Sequence, residues 1–197
     1  MLAPGSHTLG VVLCAVLGGM FAGAASADIV MDDYEAGPAT VTTAAPNQTE
    51  FGTQSGLPTH HVAGGVRHED FSVNEYAFPA TIQIDGGSMN WTTGNSATYW
   101  NIIYNGNAGG PGHTPNLNLD LTGYERFELT FTRVERFMSG HITLRSGFSF
   151  PSAYIQINAP GTYSVNLTSF SSVNWADIDM VRLELQSGYQ YGGGRHT

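Results

Sequence analysis

Six side chains in the second half of the chain are of the types that hold a saccharide: Tyr99, Asn101, Arg145, Tyr154, Gln156 and Arg182. Aromatic faces stack on the apolar faces of sugar rings, while amides and guanidinium forks bond the hydroxyls. Each of the six falls on the polar side of a short alternating run, beside residues of the opposite, apolar phase. Any one aromatic of this kind could cap a core, but the combination points to a polysaccharide. Trp91 and Trp175, near the ends of such runs, add aromatic surface.

Acidic residues offer a second chemistry. Asp32-Asp33-Tyr34-Glu35 closes the first apolar run, and pleat alternation would turn Asp33 and Glu35 to one side and Asp32 to the other. Two carboxylates with loop carbonyls can hold Ca²⁺, which takes about six to eight oxygens, so Asp33 and Glu35 are the candidate metal ligands, for a structural Ca²⁺. Equally, an acidic edge strand discourages sheet-to-sheet aggregation. Asp177-Ile178-Asp179 reads as an Asx-type turn that starts a strand. His60, His61 and His68, with Glu69 and Asp70, are the densest group of transition-metal ligand types, but their spacing has no local zinc pattern, and they read as a solvated loop and strand end.

Nothing in the sequence marks a catalytic constellation. There is no G-x-S-x-G elbow, no H-E-x-x-H and no phosphate-cradling glycine loop opening a helix. Glycoside hydrolysis requires two carboxyls flanking the bond; the sequence offers acids but no recognisable pair. The expectation is a protein that is not an enzyme, with a glycan-active enzyme as the third reading.

The elements that must position these side chains are strands. Short alternating runs bounded by Gly, Pro, Asn and Ser recur from Asp28 onward, with no helical period. The clearest are 28–35, 62–73, 80–84, 89–93, 98–104, 126–134, 141–145, 153–157, 163–167 and 180–186. Phe127, Leu129 and Phe131 oppose Glu128, Thr130 and Thr132; Val181, Leu183 and Leu185 oppose Arg182, Glu184 and Gln186. Trp100, Ile102 and Tyr104 form the more apolar phase of 98–104 and are assigned to the core. One dry and one wet face per strand predicts an all-β, two-sheet antiparallel β-sandwich. Pro38 to His61 and Asn105 to Asn118 read as long polar linking loops.

Composition narrows the partners. The apolar run Leu9 to Ala25 ends in Ala25-Ser26-Ala27, a small-x-small cleavage pattern, so residues 1–27 read as a secretory leader and the mature chain starts at Asp28. Cys14 is the only cysteine and lies inside that run, which leaves the mature chain without disulfides or thiolate chemistry. Sixteen acids against seven arginines and no lysine give a net charge of −9, which disfavours nucleic acid. Domain organisation is then a leader, one β-sandwich over 28–189, and a frayed tail, 190–197.

"IVMDDYEAG", "VAGGVRHEDF", "WNIIYNG", "LNLDLTGYERFELTFT" and "NWADIDMVRLEL" together resemble the secreted bodies of bacterial PEP-CTERM proteins, which are exosortase substrates. That resemblance implies a galactose-binding-like or carbohydrate-binding-like jelly roll. It implies an Arg67 held by inward polar groups and a strand-ending turn at Asn105 and Gly106. Such proteins continue with a closing strand, a Pro-Glu-Pro sorting signal, an apolar anchor and basic residues. This sequence carries none of these after Gln190, so the expectation is a released chain with no stable membrane anchor, or a truncation that leaves a sheet edge unpaired. The sequence leads to a secreted, non-catalytic β-sandwich at the cell surface or in the extracellular matrix that binds polysaccharide. A structural or adhesion matrix protein is the alternative, and nothing sets an oligomeric state.

Overall fold

A computed structural model describes residues 8–9, 13–16, 29–43, 49–73, 80–92, 98–134 and 137–187. Among them are fourteen strands, paired antiparallel throughout, two 3-10 turns and no α-helix. In chain order the strands are β1 (Thr8–Leu9), β2 (Leu13–Val16), β3 (Ile29–Asp32), β4 (Ala39–Thr43), β5 (Thr49–Ser55), β6 (Val66–Val73) and β7 (Ala80–Asp85). They continue as β8 (Ser88–Thr92), β9 (Thr98–Tyr104), β10 (Arg126–Phe131), β11 (Met138–Arg145), β12 (Ser152–Ile157), β13 (Gly161–Asn166) and β14 (Met180–Ser187).

One layer is a six-stranded sheet in the order β12-β11-β14-β9-β6-β5. Opposite it, where the sequence predicts one sheet, there are two: β1-β8-β7-β4 and β13-β10-β2-β3. Both pack on the same face of the large sheet. Trp91 of β8 meets Phe71 of β6 edge-on at 6.5 Å and Trp100 of β9 at 6.3 Å. From the other small sheet, Asp32 of β3 reaches Arg67 of β6 and Tyr104 of β9. The architecture is a β-sandwich whose second layer is divided.

Alternation drives the core. In β9 the burial pattern alternates residue by residue, with Trp100 and Ile102 fully buried and Tyr104 1% exposed, while Tyr99, Asn101 and Ile103 stay half-buried. Phe127, Leu129 and Phe131 of β10 and Val181, Leu183 and Leu185 of β14 are buried in the same manner. Each such side chain contributes roughly 1.5–3 kcal/mol by leaving water, which fixes the register: a slip of one residue would turn the whole set outward. Between β7 and β8, Gly86 and Gly87 both have positive φ, 55° and 73°, as a two-residue hairpin turn that follows the sheet twist requires.

Two expectations need correction. Pro38 to His61 is not a loop: it holds β4 and β5, edge strands whose Thr, Gly and Gln residues carry no apolar alternation to announce them. The first run ends at Asp32 rather than Glu35, because Tyr34 has φ 59° and turns the chain there. Leu13–Val16, inside the apolar run, forms an interior strand between β10 and β3. The tail 190–197 lies outside the described residues.

Candidate functional site

Register carries the six sugar-binding candidates onto one surface, the face of the six-stranded sheet turned away from the core. Four neighbouring strands supply them: Tyr154 and Gln156 from β12, Arg145 from β11, Arg182 from β14, Tyr99 and Asn101 from β9. The pairing sets them in rows that run across the strands. One row reads Gln156, Ser139, Gln186, Tyr99, Ser72 and Thr49. The next reads Tyr154, His141, Glu184, Asn101, Asp70 and Phe51.

This second row has an exposed aromatic at each end, Tyr154 at 55% and Phe51 at 65%. Five strand spacings of about 4.8 Å separate them, so the row is roughly 24 Å long. Local bonds hold its side chains upright. Gln156 Nε2 donates to the Tyr154 hydroxyl at 3.2 Å, and the His141 ring lies 5.3 Å from that of Tyr154. Gln186 Nε2 donates to the Tyr99 hydroxyl at 3.0 Å, and Asn101 Nδ2 to Asp70 Oδ2 at a long 3.4 Å. Asp70 Oδ1, Asn101 Oδ1 and Arg182 Nε have no hydrogen-bond partner. Burial pushes the Asp70 carboxyl above its usual range, Asn101 and Arg182 opposing the shift and Glu184 adding to it.

Where the rows meet the Asn105–Asn118 loop, the face is capped. His68 Nε2 donates to Asn105 Oδ1 at 2.9 Å and to the Asn107 carbonyl at 3.0 Å, and His68 Nδ1 bonds the Thr53 hydroxyl at 2.9 Å. Asn107 braces the loop through Thr114 and Gly109. Gly106, with φ 65°, lies so close to Asn116 that a Cβ there would clash with its carbonyl. Beside the loop opens a cleft of about 390 Å³ that takes in Arg145, Arg182, His113, Thr143 and Phe150. The Arg145 guanidinium stacks 5.1 Å from the Phe150 ring, and Arg182 lies 3.5 Å from Glu184 Oε2. A larger cleft, about 540 Å³, is lined by Tyr124, Phe170, Trp175 and Glu125 at the ends of β10 and β13, and shares no residue with these rows.

Charge on the opposite, inner face of the same sheet is of another kind. Arg67 is fully buried and donates to both oxygens of Asp32, at 3.0 and 2.8 Å, to Glu69 Oε1 at 2.9 Å, to Gln54, and to the Ala36 and Gly37 carbonyls. Tyr104 donates its hydroxyl to Asp32 at 3.0 Å. Inward polar groups therefore surround Arg67. Burial raises the carboxyls of Asp32 and Glu69 above their usual range, with Arg67 pulling both back. Burial works against the Arg67 charge, yet Asp32 and Glu69 outweigh it and the guanidinium binds its proton more tightly than usual. The Tyr34 and Tyr104 phenols are pushed well up, first by burial and then by Asp32.

His68 and Glu69 are thus not a solvated strand end: both are 1% exposed, one bonded under the loop and the other inside the ion cluster. The calcium candidates sit on the turn after β3. Asp33 Oδ2 bonds His61 Nδ1 at 2.7 Å and Asp33 Oδ1 accepts the Glu35 N–H at 3.0 Å, while the Glu35 carboxylate lies over Gly87. The two flank the turn at Tyr34 rather than sharing one strand, so pleat alternation does not govern where they point. Among the described residues no three His, Cys, Asp or Glu side chains converge as a metal site. Asp179 accepts the Gly147 N–H at 2.7 Å and so closes the turn between β11 and β12.

His141, Glu184 and Gln186 join the outer rows although their types alone did not single them out, the alternation of β11 and β14 being the available signal; Asp70, grouped by type with the histidines, joins them too. Phe51 lay in the segment read as a loop. The chain matches no protein-family model, and neither a curated protein nor a solved structure is similar to it.

Proposed function

We propose that this is a secreted, non-catalytic polysaccharide-binding protein of the cell surface or extracellular matrix, and that the outer face of its six-stranded sheet is the binding surface. The observation that carries the reading is the row from Tyr154 to Phe51, with an exposed aromatic at each end and His141, Glu184, Asn101 and Asp70 between them. An extended neutral glycan laid across the strands would stack on the aromatic ends and bond through its hydroxyls to the polar side chains between them. Rigid strands hold these groups in place before binding, which keeps the ordering cost low. A net charge of −9 favours neutral glycans over polyanions.

Affinity electrophoresis of residues 28–197 through gels cast with a panel of polysaccharides tests this, with and without added Ca²⁺. Retardation by at least one polysaccharide is expected, lost in Tyr154→Ala and kept in Trp175→Ala. Retardation by none removes the binding reading, and loss in Trp175→Ala alone moves the site to the larger cleft. Retardation that requires Ca²⁺ and fails in Asp33→Asn supports the calcium ligands. Release of reducing sugar from the same polysaccharides would make the protein an enzyme.

A further inference from the structure

We propose that the cleft between the Asn105–Asn118 loop and the turn joining β11 to β12 is a carboxylate subsite, in which Arg145 and Arg182 receive the acid group of a uronic acid carried by an otherwise neutral glycan. The inference rests on the outer-face reading above for the sugar, and on the cleft alone for the acid.

Register puts two cations side by side. Arg145 pairs with Met180 and Thr143 with Arg182, so the arginines are diagonal neighbours on the outer face, their Cβ atoms about 7–8 Å apart. Like charges at this range repel, and an anion between them removes the repulsion. Glu184 lies 3.5 Å from Arg182 and offsets one of the two charges. Asp179 is outside the cleft lining and accepts the Gly147 N–H. Two guanidinia against one carboxylate leave a single net positive charge, which matches one monoanion.

The donors are held for such a guest. Arg145 Nε donates to the Gly147 carbonyl at 3.2 Å, and the guanidinium stacks on the Phe150 ring at 5.1 Å. Among the described residues these are its side-chain partners, so the Nη edge of a fixed, planar fork is left for an acceptor. The Arg182 side chain is 38% exposed, with only its long contact to Glu184. Guanidinium forks bond the two oxygens of a carboxylate in parallel. The facing wall holds Pro111 and His113 on a braced loop, where Asn105 Nδ2 donates to the Gly110 carbonyl at 3.3 Å and Asn107 Nδ2 to that of Thr114 at 2.9 Å. At about 390 Å³ the cleft is the size of a small-molecule site.

The sugar follows from the neighbouring row. Ser152, Thr143, Arg182 and Ile103 form the row next to that of Tyr154, His141, Glu184 and Asn101. The two rows are one pleat repeat apart, roughly 7 Å, so a ring stacked along the aromatic row can turn a carboxyl substituent into the cleft. The net charge of −9 repels a continuous polyanion, which restricts the acid to isolated residues among neutral sugars.

Nitrogen-15 NMR of the full protein, titrated at constant ionic strength with sodium glucuronate, glucose, sodium acetate or sodium sulfate, tests the assignment. Glucuronate should move the Thr143, Gly147 and Arg182 amide signals and the Arg145 Nε–H signal saturably, and glucose and sulfate should not. Arg145→Gln and Arg182→Gln should each weaken glucuronate binding by about tenfold or more, the loss of a charge-assisted bond. Arg145→Lys keeps the charge without the fork and should weaken it as well. No saturable movement with glucuronate overturns the proposal, as does sulfate bound equally tightly or a Lys variant equal to the parent. Acetate bound as tightly as glucuronate would assign the cleft to free carboxylates and overturn its link to a glycan. Carboxyl reduction of a retained acidic polysaccharide should weaken its retardation in the parent but not in Arg145→Gln. The two readings fail separately: glucuronate binding with no polysaccharide retained removes the glycan, and retardation without glucuronate binding removes the acid subsite.

Discussion

The two faces of the six-stranded sheet are made by alternate residues of the same strands, and both carry charge, yet they use it differently. On the inner face Arg67 places its donors on Asp32, Glu69 Oε1 and Gln54, and Tyr104 adds its hydroxyl to Asp32, while Glu69 Oε2 and the Tyr34 hydroxyl have no partner. On the outer face the pairings are long or peripheral, such as 3.4 Å for Asn101 with Asp70 and 3.5 Å for Arg182 with Glu184, and three polar atoms have no partner. A buried network of paired charges is structural because removing one charge leaves its partner buried and unpaired. Side chains that are loosely paired and only partly buried can exchange partners with less effect on the fold, which is the condition for binding.

The largest effect that can break this contrast is at Arg67. Arg67→Met leaves Asp32 and Glu69 buried without a cation and should cost about 3–5 kcal/mol, read as the shift in chemical denaturation. The folded fraction should still be retarded by polysaccharide. Equal stability to the parent would show that the inner cluster is not structural. Next is Gln54→Ala, which withdraws the side-chain carbonyl shared by Arg67 Nε and Nη2. A loss of about 1–3 kcal/mol is expected, the cost of leaving buried donors short of an acceptor.

Legibility follows the same division. Thr98 to Tyr104 was readable to the residue, because the core phase of β9 is aromatic and aliphatic while the other phase is largely polar. The outer face was readable too, since polar residues in alternating strands point to water by default. β5 was not: with Phe51 at 65% exposure its one large apolar residue lies on the wrong side for a core pattern. To alternation alone the inner ions were hidden by that same default, and only the family resemblance pointed Arg67 inward. Alternation places Arg67 and Glu69 in phase with buried Phe71, but a pattern that equates charge with solvent discards that signal. Strand order across the sheet, which makes rows from scattered residues, depends on long-range pairing that no local period encodes.

A smaller effect sharpens the contrast through pH. The folded state raises the carboxyls of Asp32 and Glu69 by burial, and that of Asp70 likewise, above ordinary values of 3.8, 4.5 and 3.8. The folded protein therefore binds these protons more tightly than the unfolded chain. Their contribution is fully present below the ordinary values and is lost as pH rises through the raised ones. Thermal midpoints should climb as pH falls through the raised values toward the ordinary ones, and Glu69→Gln should flatten that climb. A midpoint that falls over this range in the parent would show that paired surface carboxylates outweigh the inner cluster.

The smallest effect on stability is expected where the effect on binding is greatest. Tyr154 is 55% exposed, its hydroxyl accepts only from Gln156 on its own strand, and its ring meets His141 at 5.3 Å. Tyr154→Ala should change the unfolding free energy by no more than about 0.5 kcal/mol. Polysaccharide binding should weaken by about tenfold or more, as truncation of an aromatic anchor does. Tyr154→Phe removes only the bond from Gln156 and should retain most of the affinity, because stacking uses the ring. Phe51→Ala, at the other end of the row, separates a short ligand from a long one. If the glycan spans the roughly 24 Å between the two aromatics, the loss in Phe51→Ala should grow with oligosaccharide length while the loss in Tyr154→Ala stays constant. No loss in Phe51→Ala at any length would confine the ligand to the Tyr154 end, and the opposite half of the outer face would then be polar surface alone.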